Sequence, residues 1–322
     1  MANRGVFTLL ALRRAGRPAL AGRAGGREDR VMRSGVVVGY DQTPPGERAL
    51  AEAAGEADRR GVVLTVVHAL HHEPSEPSES SKASKSSEPS DEPSARDIAD
   101  QGADRVRSTH PGLTVEARTV AGPVPTVLAD QSSEADLLVV GHHGHGGFNG
   151  FHLGSVALRA VARAACPSLV VRGSEHRKRG TVVAAVDVEH AAQEILEVAF
   201  TEASLRGARL KVVSAMEAFW ARVYVGDDGP LGRAPSQAAQ RAEDALQQVL
   251  KPWPAKYPDV ETDHERIEGS PTALLTGATT YADLIVVGVH RGSDERHGAR
   301  VGPVAETLLL HSDCPVAVVP HG

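Results

Sequence analysis

The chain has 322 residues, of which 41% are hydrophobic and only 3% aromatic, and its formal net charge is −6. The length favours two domains, and the composition is typical of a soluble globular protein. An acidic balance and few aromatic rings argue against nucleic acid binding. No stretch approaches the roughly 20 apolar residues that cross a bilayer, which argues against a spanning helix.

Residues 1–33 differ in composition from the rest of the chain, with eight arginines and two acidic residues. Their short apolar run, 6–12, follows a single basic residue and precedes Arg13 and Arg14, which fits a secretory signal poorly. Serine is absent before Ser34, which fits a transit peptide poorly. We expect a disordered or mis-assigned start and exclude it from the fold.

Four segments of the chain recur in the same order. The pairs are offset by 146 to 148 residues: 36–41 with 182–187, 60–68 with 206–214, 135–141 with 282–288, and 166–171 with 314–319. A nearly constant offset indicates a duplicated domain. The sequence therefore predicts one domain over 34–176 and a second over 177–322.

Within each copy, short continuous runs of Val, Leu and Ile predict strands that are buried on both faces of a parallel sheet. In the first copy these strands cover about 35–40, 62–69, 114–120, 136–141 and 168–172. Helical patterns lie between them. The predicted fold is α/β, a tandem repeat of two doubly wound five-stranded parallel sheets with strand order 3-2-1-4-5.

The first predicted helix shows this pattern clearly. Pro44 and Pro45 open it, Gly61 fits its C′ position, and its apolar stripe is Ala49, Leu50, Ala53, Ala54 and Ala57. The second copy repeats the pattern with Ile195, Leu196, Ala199 and Gly207.

Residues 73–95 are almost entirely Ser, Glu, Pro and Lys. Such a segment buries too little apolar surface to offset its ordering entropy, so we expect a mobile loop between the second strand and the second helix. Its serines leave open a role as a phosphorylated regulatory loop.

A glycine-rich segment follows the fourth strand. It places Gly141 and Gly144 before Gly154 and Ser155, which open a helix over about 156–165. Glycines permit positive φ angles and close backbone approach, and a helix N-terminus adds unsatisfied N–H groups, so phosphate is the expected ligand. Ser155 could donate its hydroxyl to a phosphate or simply cap the helix, and we expect the capping role in either case.

The strand order sharpens this expectation. Ligands of open parallel sheets bind beyond the carboxyl ends of the strands where the strand order reverses, here between the first and fourth strands. Asp41 ends the first strand and Gly141 ends the fourth. The Asp41 carboxylate would therefore face the phosphate cradle and accept from an adenine amino group or a ribose hydroxyl. As an alternative, Asp41 is a helix N-cap or a turn residue.

At this point the sequence resembles the universal stress protein family in its tandem form, over about 34–322. Gly141, Gly144, Gly154 and Ser155 reproduce the spacing of its nucleotide-binding members. The resemblance implies ATP binding, with Asp41 and Ala69 at the nucleoside and the phosphates surrounded by Gly141, His143, Gly144, Gly154, Ser155 and Val156. The family often has Gly-Ser after the aspartate, where this chain has Gln42 and Thr43.

The second copy departs further from the family pattern. Asp187, Gly288, Gly292 and Gly302 remain as a weaker candidate site, but Arg291 replaces the second motif glycine and Pro303 replaces the serine. Proline keeps the helix start yet removes a hydroxyl and an N–H. We expect a degenerate, mainly structural site, with direct phosphate neutralisation by Arg291 as the alternative.

Two residue groups suggest other chemistry. The histidines His142, His143, His145 and His152 are close in sequence, but a glycine-rich loop holds tetrahedral geometry poorly, and no metal site is assigned. Cys166 and Cys314 occupy the same place in separate copies, so we interpret them as small buried residues before the fifth strands rather than as a disulfide.

We therefore expect a cytoplasmic ATP-binding sensor or binding module of the stress response, with Mg²⁺ beside the phosphates. No catalytic residue is assigned, and any ATPase activity is expected to be slow. The alternatives are a nucleotide-free interaction module and an adenylating enzyme, and the latter needs a Lys or Arg that the loop 141–155 lacks. The resemblance implies an internal pseudo-dimer through the fifth strands. The protein partner and homodimerisation stay open.

Overall fold

The computed structural model describes residues 35–70, 95–143, 154–172, 178–188, 192–216, 237–290 and 301–322. The predicted N-terminal extension 1–33 lies outside them, as do residues 73–94 of the predicted loop. In the first half the elements are β1 Val36–Gly39, α1 Pro44–Arg60, β2 Leu64–Leu70, α2 Ala95–Thr109, β3 Val115–Ala121, α3 Val124–Gln131, β4 Leu137–Gly141, α4 Ser155–Arg163 and β5 Ser168–Val171.

The second half follows the same alternation of strand and helix. Its elements are β6 Thr181–Ala185, α5 Ala192–Arg206, β7 Arg209–Met216, α6 Gln237–Leu250, α7 Trp253–Lys256, β8 Thr262–Glu268, α8 Pro271–Ala278, β9 Leu284–His290, α9 Pro303–His311 and β10 Val316–His321. In the first half all five predicted strands are observed, with bounds within two residues of those expected.

The strands form one sheet in the order β3-β2-β1-β4-β5-β10-β9-β6-β7-β8. Each half is parallel and has the predicted order 3-2-1-4-5. The two halves meet where β5 and β10 pair antiparallel, with Leu169 opposite Ala317. The fifth strands therefore join the repeats, as the family resemblance implied. The predicted boundary between 176 and 177 falls outside the described residues and remains a prediction.

Helix α1 shows why these segments form these elements. The Thr43 side chain accepts a hydrogen bond from the Gly46 N–H and caps the helix, with prolines in the first turn. Gly61 ends the helix with φ 66°, in the left-handed region that favours glycine. The predicted apolar stripe of α1 is buried, as are Ile195, Leu196 and Ala199 of α5.

The central strands are buried on both faces, as their continuous apolar runs predicted. In β1, Val36 and Val38 pack into the core on one face of the sheet, and Val37 packs into the core on the other. Cys166 and Cys314 are buried thiols of this second core, and burial raises the pKa of Cys314 to about 11. Their interpretation as buried residues is confirmed. No helix in the described ranges has the length and apolar content to cross a membrane.

A buried ionic network joins the halves between α1 and α5, and the sequence analysis did not foresee it. Glu56 is fully buried and Glu202 is 3% exposed. Arg60 donates to Glu56 (3.2 Å) and to Glu202, and Arg206 donates to Glu202 (3.1 Å) and to Glu56. The two Glu–Arg pairs occupy equivalent positions of the two repeats, so the network follows the internal pseudo-two-fold symmetry.

Candidate functional site

The carboxyl ends of β1 and β4 lie side by side, because these strands are neighbours with Val38 opposite Val139. The chain leaves β1 toward α1 and leaves β4 toward α4, and the strand order reverses between them. In open α/β sheets this is the position where ligands bind. The structure therefore brings Asp41 and Gly141 to the same edge of the sheet.

Asp41 forms the turn that starts α1. Its Oδ1 accepts hydrogen bonds from the Thr43 N–H (3.1 Å) and from the Thr43 hydroxyl (2.6 Å). The Thr43 hydroxyl in turn accepts from the Gly46 N–H and caps the helix. The alternative interpretation of Asp41 as a turn residue therefore matches the geometry of this oxygen, and the carboxylate is oriented by its own turn.

Gln42 follows with φ 61°, and it is the non-glycine residue with positive φ within the described ranges. Glycine favours this conformation, which accounts physically for the Gly that the family often has after the aspartate. Gln42 adopts this conformation and donates its side-chain amide to Gln101 Oε1 (2.7 Å).

Ala69 lies near the carboxyl end of β2, next to β1. The β1–β2 register pairs Gly39 with Val67, and Asp41 and Ala69 each follow this pair by two residues. The ring Nδ1 of His68 lies 2.9 Å from the Tyr40 carbonyl oxygen and ties the ends of the two strands together. The two residues expected at the nucleoside thus occupy adjacent strand ends.

Gly141 is a glycine because α1 approaches it closely. A Cβ atom placed on Gly141 would lie 2.8 Å from the Pro45 carbonyl oxygen, closer than real Cβ atoms come. Its φ is not in the positive range, so close backbone approach, and not a left-handed conformation, explains this motif glycine. The first turn of α1 therefore rests directly on the end of β4.

Two histidines follow Gly141. The rings of His142 and His143 meet edge to face with centroids 4.4 Å apart, and His142 Nδ1 lies 3.1 Å from the Val171 carbonyl oxygen. Burial, followed by the charges of His143, Arg172 and Arg48, lowers the pKa of His142 to about 4. His142 is therefore neutral at neutral pH, and its Nδ1–H donates to Val171.

The start of α4 is hydrogen-bonded to the first residue of the histidine pair. The Gly154 N–H donates to the His142 carbonyl oxygen (2.8 Å), so this N–H does not face a ligand as the sequence analysis expected. Gly154 is the N-cap, with φ −63° and ψ 139°, and no side chain caps the helix. The expectation that Ser155 caps α4 is therefore wrong.

What remains at the start of α4 is an exposed set of donors. Ser155 and Val156 are exposed at the first turn, where N–H groups have no partner within the helix. No acidic residue occupies this turn. These groups and the partial positive charge of the helix end favour an anion. Gly144, His145 and His152 lie outside the described residues.

The second half differs at the equivalent place. A Cβ on Gly288 would lie 2.7 Å from Ile195 Cδ1 and 3.0 Å from His321 Cδ2, so side chains occupy the space above this glycine. Strand β9 continues to His290, paired with His321 of β10. Asp187 is exposed, Gly302 caps α9 with φ −67°, and Gly292 lies outside the described residues.

Two further differences affect the start of α9. Pro303 at the first helical position supplies no N–H, and Glu306 adds a negative charge to the first turn. Both changes make this helix end a poorer anion site than that of α4. Among the described residues, no group of three or more His, Cys, Asp or Glu side chains is placed to hold a metal ion.

The sequence analysis missed Arg48, because it sought a cation only in the loop 141–155. Arg48 lies on α1, and its charge contributes to the lowered pKa of His142. A usable signal was its position three residues after Pro45, which places both residues on one face of the helix.

Comparisons with known proteins agree with the fold. The model of the universal stress protein family matches residues 32–172 and again 178–320. The chain is 30% identical over 295 residues to a universal stress protein of Mycobacterium tuberculosis, covering 88% of this chain and 95% of the relative. A universal stress protein of Mycolicibacterium smegmatis is 30% identical over 293 residues, with 88% and 96% covered.

Two solved structures have the same fold over nearly the whole chain. A universal stress protein from Archaeoglobus fulgidus has a TM-score of 0.57 at 17% identity, with 90% of this chain and 100% of that chain covered. A functionally unknown protein from Pseudomonas aeruginosa has a TM-score of 0.58 at 20% identity, with 90% and 93% covered. Because the family model matches both repeats, this chain belongs to the universal stress protein family.

Proposed function

We propose that the N-terminal half binds ATP at the carboxyl ends of β1 and β4, and that the protein acts in the cytoplasm as a nucleotide-responsive binding module of the stress response. The observation that supports this proposal is the position of Asp41, Ala69 and Gly141 at the carboxyl ends of neighbouring strands, beside the first turn of α4. Switch points of this kind bind nucleotides in open α/β sheets.

The nucleoside end of the site is assigned to β1 and β2. The Asp41 carboxylate is oriented by Thr43, and Asp41 and Ala69 each follow the paired Gly39 and Val67 by two residues. A carboxylate at a strand end accepts hydrogen bonds from ribose hydroxyls, and the small Ala69 side chain leaves room for a flat base.

The phosphate end is assigned to α4. The N–H groups of Ser155 and Val156 point out of the first turn, and the Ser155 hydroxyl is not used as a cap. Phosphate binding at helix N-termini relies on this combination of donors and dipole. Mg²⁺ would enter with the ATP phosphates and its own waters, because the described residues offer no cluster of metal ligands.

Two substitutions of Ser155 test the phosphate assignment in the full chain. Ser155→Ala removes the hydroxyl, and Ser155→Pro removes both the hydroxyl and the N–H. Proline is compatible with this position because Gly154 has ψ 139°, Gly302 precedes Pro303 with ψ 163°, and proline is favoured at a first helical position.

Calorimetric titration with ATP gives the result. We expect Ser155→Ala to weaken ATP binding about 3- to 10-fold and Ser155→Pro to weaken it by about 10-fold more, following the cost of about 1 to 1.5 kcal/mol for each lost hydrogen bond. Equal affinity of wild type and Ser155→Pro would contradict the assignment. Absence of binding to the wild type would favour a nucleotide-free interaction module, and steady release of AMP would favour an adenylating enzyme.

A further inference from the structure

Arg48 lies in the second turn of α1 and close enough to His142, which follows β4, for its charge to act on that ring; we call the space beyond the carboxyl ends of β1 and β4 the crevice. Pro45, one turn earlier on the same face, contacts the end of β4, where its carbonyl oxygen would lie 2.8 Å from a Cβ on Gly141. Long side chains on a helix lean toward its N-terminus. The Arg48 guanidinium is thus carried back toward the strand ends at which the crevice opens.

Arg48 has no anionic partner within the described part of the chain. Its Nε is buried and without a hydrogen-bond partner. The nearby acids of α1 are engaged elsewhere: Glu47 accepts from the Tyr40 hydroxyl (2.6 Å) and from Arg105, and Glu52 accepts from Arg59 (3.1 Å) and Arg206 (3.2 Å). A partly buried guanidinium without an acceptor is costly, and an anion would satisfy it.

The surroundings of Arg48 also favour an anion. The charges of Arg48 and Arg172 both act on His142, the residue whose carbonyl oxygen holds the Gly154 N–H at the start of α4. Arg48 therefore lies near the residue whose backbone holds the electropositive end of α4.

The second half reverses this charge. The repeats align with an offset of 146 residues along α1 and α5, as Asp41 with Asp187 and Glu56 with Glu202 show, so Glu194 occupies the position of Arg48. Glu194 is exposed in the first turn of α5. The half with Pro303 and Glu306 at its second helix start therefore also has an acid at the position of Arg48, while Arg291 lies outside the described residues.

We propose that Arg48 binds the β- and γ-phosphates of the nucleotide in the N-terminal half and makes this site select triphosphates over monophosphates. This inference rests on the proposed ATP site. Arg48 supplies the positive charge at the phosphates that the loop 141–155 lacks. A guanidinium is well matched to phosphate because its planar N–H donors bind two phosphate oxygens at once.

The test compares the affinities of the full chain for ATP and for AMP by calorimetry. Arg48→Gln should weaken ATP binding about 10- to 100-fold, the loss expected for charge-assisted hydrogen bonds, and should change AMP binding by less than about 3-fold. Arg48→Lys should retain part of the preference, and Arg48→Glu, which copies the second half, should abolish it. Arg241→Gln removes the same charge from an exposed residue of α6 and should change neither affinity.

Thermal unfolding shows that each variant is folded, and no large loss is expected because Arg48 makes no bond to the described residues. An unchanged ATP-to-AMP preference in both Arg48→Gln and Arg48→Glu would overturn the role of Arg48 while leaving the ATP site intact. A wild type that binds neither nucleotide would overturn both proposals.

Discussion

The buried network between α1 and α5 allows a sharp prediction about stability. Three carboxylates, Glu52, Glu56 and Glu202, share bonds with three guanidinium groups, Arg59, Arg60 and Arg206. The formal charges of this set cancel. Glu56→Gln preserves the shape of the side chain but leaves one positive charge uncompensated where Glu56 is fully buried.

The structure sets the size of the effect. Glu56 accepts from Arg59 (2.6 Å), Arg60 (3.2 Å) and Arg206, and removal of one member of a buried ionic cluster costs about 3 to 5 kcal/mol. Glu52 belongs to the same network but its side chain is 28% exposed, so Glu52→Gln should cost about 1 kcal/mol or less. The two variants remove the same charge and differ in burial and by one guanidinium partner.

Urea unfolding of wild type, Glu56→Gln and Glu52→Gln at pH 7 measures the difference. We expect an unchanged m value and a free energy of unfolding that falls several-fold more in Glu56→Gln than in Glu52→Gln. Losses within about 1 kcal/mol of each other would refute the reasoning, because burial would then not decide the cost.

The same network predicts a dependence on pH. Burial alone would raise the pKa of Glu56, but Arg206, Arg60 and Arg59 together hold it below its ordinary value. A lowered pKa in the folded state gives stability above the unfolded pKa that is lost as the pH falls through the folded pKa. The gap between wild type and Glu56→Gln should therefore narrow below about pH 4. Burial and then repulsion by Glu56 raise the pKa of Glu202, so the Glu202 carboxyl contributes to the pH dependence with the opposite sign.

Two further predictions concern the candidate site. Gly141→Ala should lower the free energy of unfolding by about 1 to 3 kcal/mol and weaken ATP binding, because the added Cβ would press on the Pro45 carbonyl. Gly302→Ala is the control: nothing lies within 4 Å of the added atom, so urea unfolding should show a loss of about 1 kcal/mol or less. Equal losses would contradict the close-contact argument. The pKa of His142 is about 4 in the folded state, below its value in the unfolded chain. The free energy of unfolding should therefore fall by about 1 kcal/mol between pH 7 and pH 5, after allowance for the partial exposure of the ring. His142→Gln should remove this dependence on pH.

Local patterns in the sequence predicted much of the fold. Pro44, Gly61 and the apolar stripe of α1 specify a helix through rules that depend only on neighbouring residues, and all are observed as expected. The continuous Val and Leu runs predicted strands buried on both faces, and the repeat predicted that both halves share one strand order. The helix and strand patterns could be predicted because each is encoded within a few residues, and the shared strand order because the repeat recurs at a nearly constant offset.

The candidate site was predicted less completely, because its details depend on contacts between distant segments. Gly141 is required by the approach of Pro45, and the Gly154 N–H is used by His142, which no spacing rule reveals. Arg48 escaped notice because it belongs to α1 and not to the glycine-rich loop. The Glu56 network depends on the packing of the two repeats against each other.

The number of ATP molecules bound by each full-length chain tests the central claim most directly. Calorimetric titration of the wild type should give one ATP per chain, because the α4 end of the N-terminal half keeps its donors, while Pro303 and Glu306 impair the α9 end of the second half. A stoichiometry of two would contradict the difference between the halves, and a stoichiometry of zero would contradict the ATP site itself.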